Sequence, residues 1–301
     1  MAEEKIADIP TEGVAPSLAD LAMKYEGFGG TSLITQLASF PLNQYIFRGQ
    51  SDESWGLQPS IERLRLPLIG REGAEGLVLR AFSRRAHHYV QNLPAPGETL
   101  EWLAVMRHYG APTRLLDCTA SPYIAAFFAT AEAREDVAPV IWGFHAGTLL
   151  ACAISKFHEA YPEDLIFRPR PYTEYPRGDE LFQHMQRLRD PAVVVPVRPF
   201  KFNDRLARQQ GWFLCSNSLS VTLESSLLSL LRDTPYGPNC VKPLIRMRLR
   251  PGGHASTLLE LAKMNITYET LFPGLDGFAR SLETHLKIRE VAWTSHPEDW
   301  L

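Results

Sequence analysis

The chain has 301 residues, 45% hydrophobic and 22% charged, enough for one large domain or two modest ones with a substantial core. With 31 basic against 34 acidic residues its net charge is −3, so no global field draws it to nucleic acid or an anionic membrane, and any such contact must be local. The first residues lack a basic n-region and an apolar run, and no window reaches the ~20 apolar residues of a bilayer span, so a cytoplasmic location without membrane contact is expected.

In chain order, residues 1–16 read as an arm rich in Pro, Gly and acidic residues. Helices are predicted over 17–25, behind Ser17, and over 31–38. A strand follows at 44–47, then a polar turn at 51–54 and a short helix after Pro59. Residues 72–92, with Arg80, Arg84 and Arg85, have an amphipathic helical pattern that Leu93-Pro94-Ala95-Pro96-Gly97 ends. Another helix spans 99–108, followed by a strand at 115–119, a helix at 123–134 behind Pro122, and a strand at 139–144. Seven prolines between 155 and 200 predict an excursion outside the regular core, carrying a helix at 180–189 and a strand at 192–197. A helix at 204–209, strands at 212–215 and 241–250, and helices at 257–264 and 270–287 complete the chain. The irregular order of helices and strands favours α+β over a doubly wound sheet. The expected organisation is an arm and helix over 1–30, a single domain over 31–287 with 155–200 inserted, and a tail over 288–301.

The four cysteines, Cys118, Cys152, Cys215 and Cys240, form no C-x-x-C pair and read as reduced core residues. The histidines include the adjacent pair His87-His88 but no metal-binding spacing, so no metal is expected. Glycine-rich Rossmann and P-loop fingerprints are also missing. Chemistry concentrates in two segments, Tyr45-Ile46-Phe47-Arg48-Gly49-Gln50 and His108-Tyr109-Gly110-Ala111-Pro112-Thr113-Arg114-Leu115-Leu116-Asp117-Cys118-Thr119. Each sets polar groups beside an apolar strand, the pattern of a pocket built from strand ends that reads an anionic or nucleotide-like ligand. The strand at 241–250 carries Arg246, Arg248 and Arg250 on alternate residues, either a solvated face or a groove for substrate phosphates.

Four motifs resemble those of the FRG domain family in order: Phe47-Arg48-Gly49; His108-Tyr109-Gly110-x-Pro112-Thr113-Arg114-Leu115-Leu116-Asp117-x-Thr119; Arg205-x3-Gln209-x-Gly211-x-Phe213; and Leu271-Phe272-Pro273-x-Leu275-Asp276-Gly277. The resemblance runs from about residue 30 to 287. Cys118 stands where the family usually has tryptophan. A second resemblance is to the ADP-ribosyltransferase fold, whose first strand ends in an arginine, whose second carries Ser-Thr-Ser before an Ala- and Phe-rich helix, and whose third supplies a glutamate. Here Phe47-Arg48-Gly49, then Leu116-Asp117-Cys118-Thr119 with Ala125-Ala126-Phe127-Phe128-Ala129, then Gln209-Gln210-Gly211 occupy those places. Amides stand where the glutamate would be.

That likeness implies a split mixed or antiparallel sheet and an enzyme that transfers ADP-ribose from NAD to a macromolecule, nucleic acid favoured over protein. A bacterial toxin or anti-phage effector with a neutralising partner such as an antitoxin fits it. Arg48, Asp117, Thr119, Gln209 and Gln210 would be catalytic. Phe47, Arg48, Gly49, Gln50, His108, Tyr109 and Arg114 would hold NAD: Arg48 as a fork for phosphate or ribose oxygens, Gly49 by close backbone approach, Tyr109 by stacking, His108 on a ribose hydroxyl and Arg114 on a phosphate. Arg246, Arg248 and Arg250 would take the acceptor. Without the glutamate, Asp117 or Glu269 must supply the negative charge, or the pocket is a non-catalytic nucleotide or nucleic-acid binding module of a defence or toxin-antitoxin system. Structural alternatives stand beside these roles: Arg48 paired with Asp117, His108-Tyr109 capping a helix, and Gln209 and Gln210 satisfying backbone groups.

Overall fold

The computed structural model describes residues 17–41, 44–168, 179–200, 204–232 and 242–292. Its frame is a seven-stranded mixed sheet of β1 (Met23–Phe28), β2 (Tyr45–Gln50), β3 (Leu115–Thr119), β4 (Val140–His145), β5 (Val194–Val197), β6 (Gly211–Ser216) and β7 (Leu244–Leu249), in the order β1-β7-β4-β2-β3-β6-β5. Only β1 and β7 run parallel; every other neighbouring pair is antiparallel.

Period-two alternation divides each strand between two cores. Tyr45, Phe47, Ile141, Ile245 and Met247 face one side, under α2 (Gly30–Ala38), α6 (Pro122–Thr130) and α11 (His254–Lys263), with α12 (Tyr268–Leu271) and α13 (Leu275–Ala292) beyond. Ile46, Trp142, Phe144 and Leu244 face the other. This second core is larger and takes residues from α1 (Leu18–Leu21), α4 (Leu68–Arg85), α5 (Thr99–His108), α7 (Ala146–Ala160), α8 (Asp179–Leu188) and α10 (Leu223–Arg232). The short α3 (Ser60–Arg63) and α9 (Asp204–Arg208) lie beside the sheet's central strands in sequence and carry site residues described below.

The sheet is continuous, yet it is thinnest at its centre. β2 and β4 pair over six residues and β3 and β6 over five, whereas β2 and β3 meet only at Phe47 and Thr119. Beyond that rung the two strands diverge, and the space between them becomes a cleft.

Two expectations are corrected. The helix predicted over 17–25 stops at Leu21, and 23–28 is an edge strand: Ser17 and Asp20 close a capping box around one turn, after which pairing with β7 prevails over helical propensity. The proline-rich stretch is not an excursion. Phe157, Phe167, Phe182, Met185 and Val193 to Val195 are buried in the main core, and β5 is the sheet's last strand. An edge position accepts Pro196 because its missing N–H would face away from the ladder. Pro169, Pro171 and Pro176 lie outside the described residues, as does Cys240; Cys118, Cys152 and Cys215 are buried. No helix among the described residues is long and apolar enough to cross a membrane.

Candidate functional site

The cleft at the β2/β3 divergence encloses about 730 Å³, within the range typical of small-molecule sites. Arg48, Asp117, Thr119 and Gln209 all reach its wall although 161 positions separate the first from the last. A smaller hollow of about 190 Å³ adjoins it, sharing Arg107, Asp117, Arg205 and Gln209 and adding His108.

Alternation along β2 divides the Phe-Arg-Gly signature. Phe47 turns toward α6, 3% exposed, and packs its ring against Phe40 and Tyr45. Gly49 turns the same way, and a β-carbon there would collide with the Ala125 carbonyl and the Ala129 amide. The glycine therefore serves the packing of α6 on the sheet rather than the approach of a nicotinamide. Arg48 points to the opposite side, where Nη1 donates to the Asp117 carbonyl (2.8 Å) in place of the ladder bond that β2 does not make. Its Nε is buried without a partner among the described residues. Burial holds the guanidinium below the ordinary arginine range, and the Asp117 charge opposes that shift.

The carboxylate of Asp117 binds Arg107, not Arg48. Arg107 Nε donates to both carboxylate oxygens at 3.0 Å and Nη2 closes the fork. Burial raises the Asp117 carboxyl, but the Arg107 hydrogen bond and the charges of Arg107, Arg48 and Arg205 outweigh it and hold the group below the usual carboxylate range. Thr119 is 3% exposed, and its Oγ1 accepts the Ser121 amide (3.0 Å) in the turn that starts α6; Ser121 in turn caps that helix by accepting the Ile124 amide. Gln209 donates its amide to the Leu271 carbonyl (3.2 Å). Gln210 has φ +48° and gives its backbone carbonyl to the Ala120 amide; its side chain does not line the cleft. Gln50 lines the cleft too, accepting from the Trp142 indole and donating to the Gly56 carbonyl.

Several proposed ligands lie elsewhere. Tyr109, 56% exposed, is the residue that closes α5, its ring edge-on to His108 and outside both hollows. Arg114 is 3% exposed and forms a buried pair with Glu75 (2.5 Å), also donating to the Ser216 and Asn217 carbonyls. Arg246 and Arg248 converge on Glu53, clasping the 51–56 turn to the sheet, and Arg250 donates to the Gly27 carbonyl. None of the three lines the cleft. Glu269 is exposed and also lies away from it.

Other groups occupy the cleft instead. Arg63, on the last turn of α3, and Arg205, on α9, add two guanidinia; Arg205 stacks on the Phe272 ring at 4.4 Å. Trp55 presents a 56% exposed indole, and Glu132 adds a second carboxylate, which accepts from the Tyr268 hydroxyl (2.9 Å). Four arginines thus face two acids, Asp117 paired with Arg107 and Glu132 lying 3.9 Å from Arg280, which is outside the cleft wall, so the cleft is cationic. Arg205 and Phe272 stand in the quoted motifs, which gave them no role; Arg63, Arg107, Trp55 and Glu132 have no local signal.

A continuous mixed sheet with helices on both faces and an arginine-lined cleft at its central seam defines an α+β protein. Residues 43–137, which contain β2, β3 and α6, match the family model of the FRG domain. No curated protein matches the chain, and no solved structure does.

Proposed function

We propose that the cleft binds the pyrophosphate of NAD and that the protein is an ADP-ribosyltransferase-like enzyme acting on a macromolecule. The observation that carries this reading is the meeting of Arg48, Arg63, Arg107 and Arg205 with Asp117 and Glu132 in one cavity of about 730 Å³. Guanidinia fit phosphate oxygens through paired N–H donors, and the partnerless Nε of Arg48 is a donor awaiting an acceptor. Trp55 offers a face for a planar ring.

When bound, NAD supplies a glycosidic bond that breaks between ribose C1′ and the nicotinamide nitrogen, the electron pair leaving with nicotinamide while an acceptor nucleophile joins C1′ and gives up a proton. Arg48, Arg63 and Arg205 hold the phosphates and fix the ribose. Asp117 keeps Arg107 and, through its carbonyl, Arg48 in place, which makes it a positioning residue. Glu132, the carboxylate without a bidentate arginine, is the group available to stabilise positive charge on the ribose or accept the acceptor's proton.

A second reading, binding without turnover, is favoured by the engagement of Asp117 with Arg107 and of Gln209 with Leu271. Calorimetry with NAD and ADP-ribose, followed by labelled NAD in cell lysate, separates the two. Transfer of label by the wild type, lost in Arg48→Ala, supports the enzyme; binding without nicotinamide release selects the module. Absence of binding by the wild type overturns both.

A further inference from the structure

The C-terminal end of α4 and the turn after it form a surface that the cleft does not use. Residues 76–97 contain three arginines and two histidines and no acidic residue, in a chain whose net charge is −3. Arg80, Arg84, Arg85, His87 and His88 are all exposed, and no ion pair engages the three arginines among the described residues. Arg84 and Arg85 suit the negative end of the helix dipole. That role does not account for Arg80, one turn earlier, or for the rings that follow.

Tyr89 is 84% exposed, the largest exposure of any aromatic ring on this face. The His87 and His88 rings lie 4.0 Å apart, tilted by 41°, and Tyr89 stands edge-on to His88 at 6.5 Å. Three contiguous rings in solvent beside three guanidinia that no ion pair among the described residues engages form one aromatic and cationic surface. We propose that this surface binds single-stranded nucleic acid, with Arg80, Arg84 and Arg85 on successive phosphates and Tyr89 with the histidine rings stacking on bases. Phosphates supply the attraction, and exposed ring faces select unpaired bases, which a duplex keeps stacked within itself. An anionic membrane would meet the same charge, but apart from Leu77, which is 62% exposed, the surface offers it rings with polar edges in place of an apolar wedge.

The surface also joins the rest of the molecule directly. Phe82 on α4 packs edge-on to Trp102 on α5 at 6.5 Å, and Arg107 enters the cleft five residues further along α5, about 7.5 Å along the axis. A bound strand would therefore lie on the helix that packs against the one feeding the cleft, while the claim itself does not depend on NAD.

The test is fluorescence anisotropy with labelled mixed-sequence RNA and DNA single strands and the matching duplex, using the full chain. The wild type should prefer either single strand to the duplex and weaken roughly 20-fold as salt rises from about 50 to about 200 mM, the slope for three phosphates. The Arg80→Gln/Arg84→Gln/Arg85→Gln variant should lose most of that salt dependence, and Tyr89→Ala should bind roughly tenfold more weakly, with circular dichroism and NAD calorimetry unchanged in both. The two single-strand arms tell RNA from DNA. Equal binding by wild type and the triple variant, a duplex bound as tightly as a single strand, or capture by phosphatidylglycerol vesicles with no oligonucleotide binding would overturn the proposal.

Discussion

The Ala125 carbonyl occupies the space that a β-carbon on residue 49 would need. The contact fixes how closely α6 lies on β2 and gives the glycine of Phe-Arg-Gly a packing role. Gly49→Ala should therefore lose about 3 kcal/mol or more of stability in urea unfolding, since overpacking against backbone cannot relax by a rotamer change. Gly97→Ala is the control for substitution as such: its β-carbon meets nothing, and only its φ of +96° opposes the change. A Gly49→Ala protein as stable as wild type would remove the packing argument.

Arg48 bridges two strands and leaves one donor free, so charge alone should not replace it. Arg48→Lys is expected to fold, with a stability loss of about 1 kcal/mol from the bond to the Asp117 carbonyl, yet to bind NAD at least tenfold more weakly. Calorimetry beside thermal melting checks both numbers. Unaltered NAD affinity in the lysine variant would show that the fork geometry is irrelevant.

The Arg107–Asp117 pair carries a pH signature. Because the carboxyl is held below its ordinary value, the pair's contribution is fully present above the unfolded aspartate value of about 3.9 and is lost as pH falls through the lower folded value. The Asp117 side chain is 45% exposed, which limits the effect to about 1 kcal/mol. The stability gap between wild type and Asp117→Asn should be constant near neutrality and close in acid. A gap that widens on acidification contradicts this.

Burial, followed by the charge of Arg205, holds the His108 imidazole below its ordinary value. In an NMR titration, Arg205→Gln should move the His108 midpoint upward without returning it fully to the range of an exposed histidine. A downward move would mean that Arg205 does not face it.

Arg114 and Glu75 form the least hydrated ion pair described, at 3% and 5% side-chain exposure. Glu75→Ala should cost 3–5 kcal/mol, on the order of other buried charges left alone, while Arg114→Met with Glu75→Leu should recover much of the loss. NAD affinity of the double variant should match wild type, because Arg114 lies outside the cleft.

The strands around the cleft were legible because their cues are local. Leu115–Thr119 is mostly apolar, broken by Asp117, between a turn and Pro122, and it forms as predicted. Thr99–His108 likewise begins and ends where its pattern does. β1 was not legible, since nothing in Met23–Phe28 outweighs a helical reading until β7 lies beside it. The prolines of 155–200 point away from a sheet, whereas the edge position that accommodates Pro196 is a property of the assembled sheet. Arg48, Asp117 and Gln209 stood out by motif, but the partners that engage them are set by helix phase and chain reversal. Arg107 is one residue from the segment that drew attention and was passed over because only the last turn of α5 aims it at Asp117.

The narrow centre of the sheet has a mechanical consequence. One rung at Phe47 and Thr119 and one guanidinium are what fasten β3 to β2. An occupant that recruits Arg48 Nη1 would undo the second fastening, leaving β3 tied to β2 by the single rung at Phe47 and Thr119. Filling the hollow and keeping the two half-sheets zipped thus compete for one side chain, and amide exchange along β3 should quicken when the site is filled.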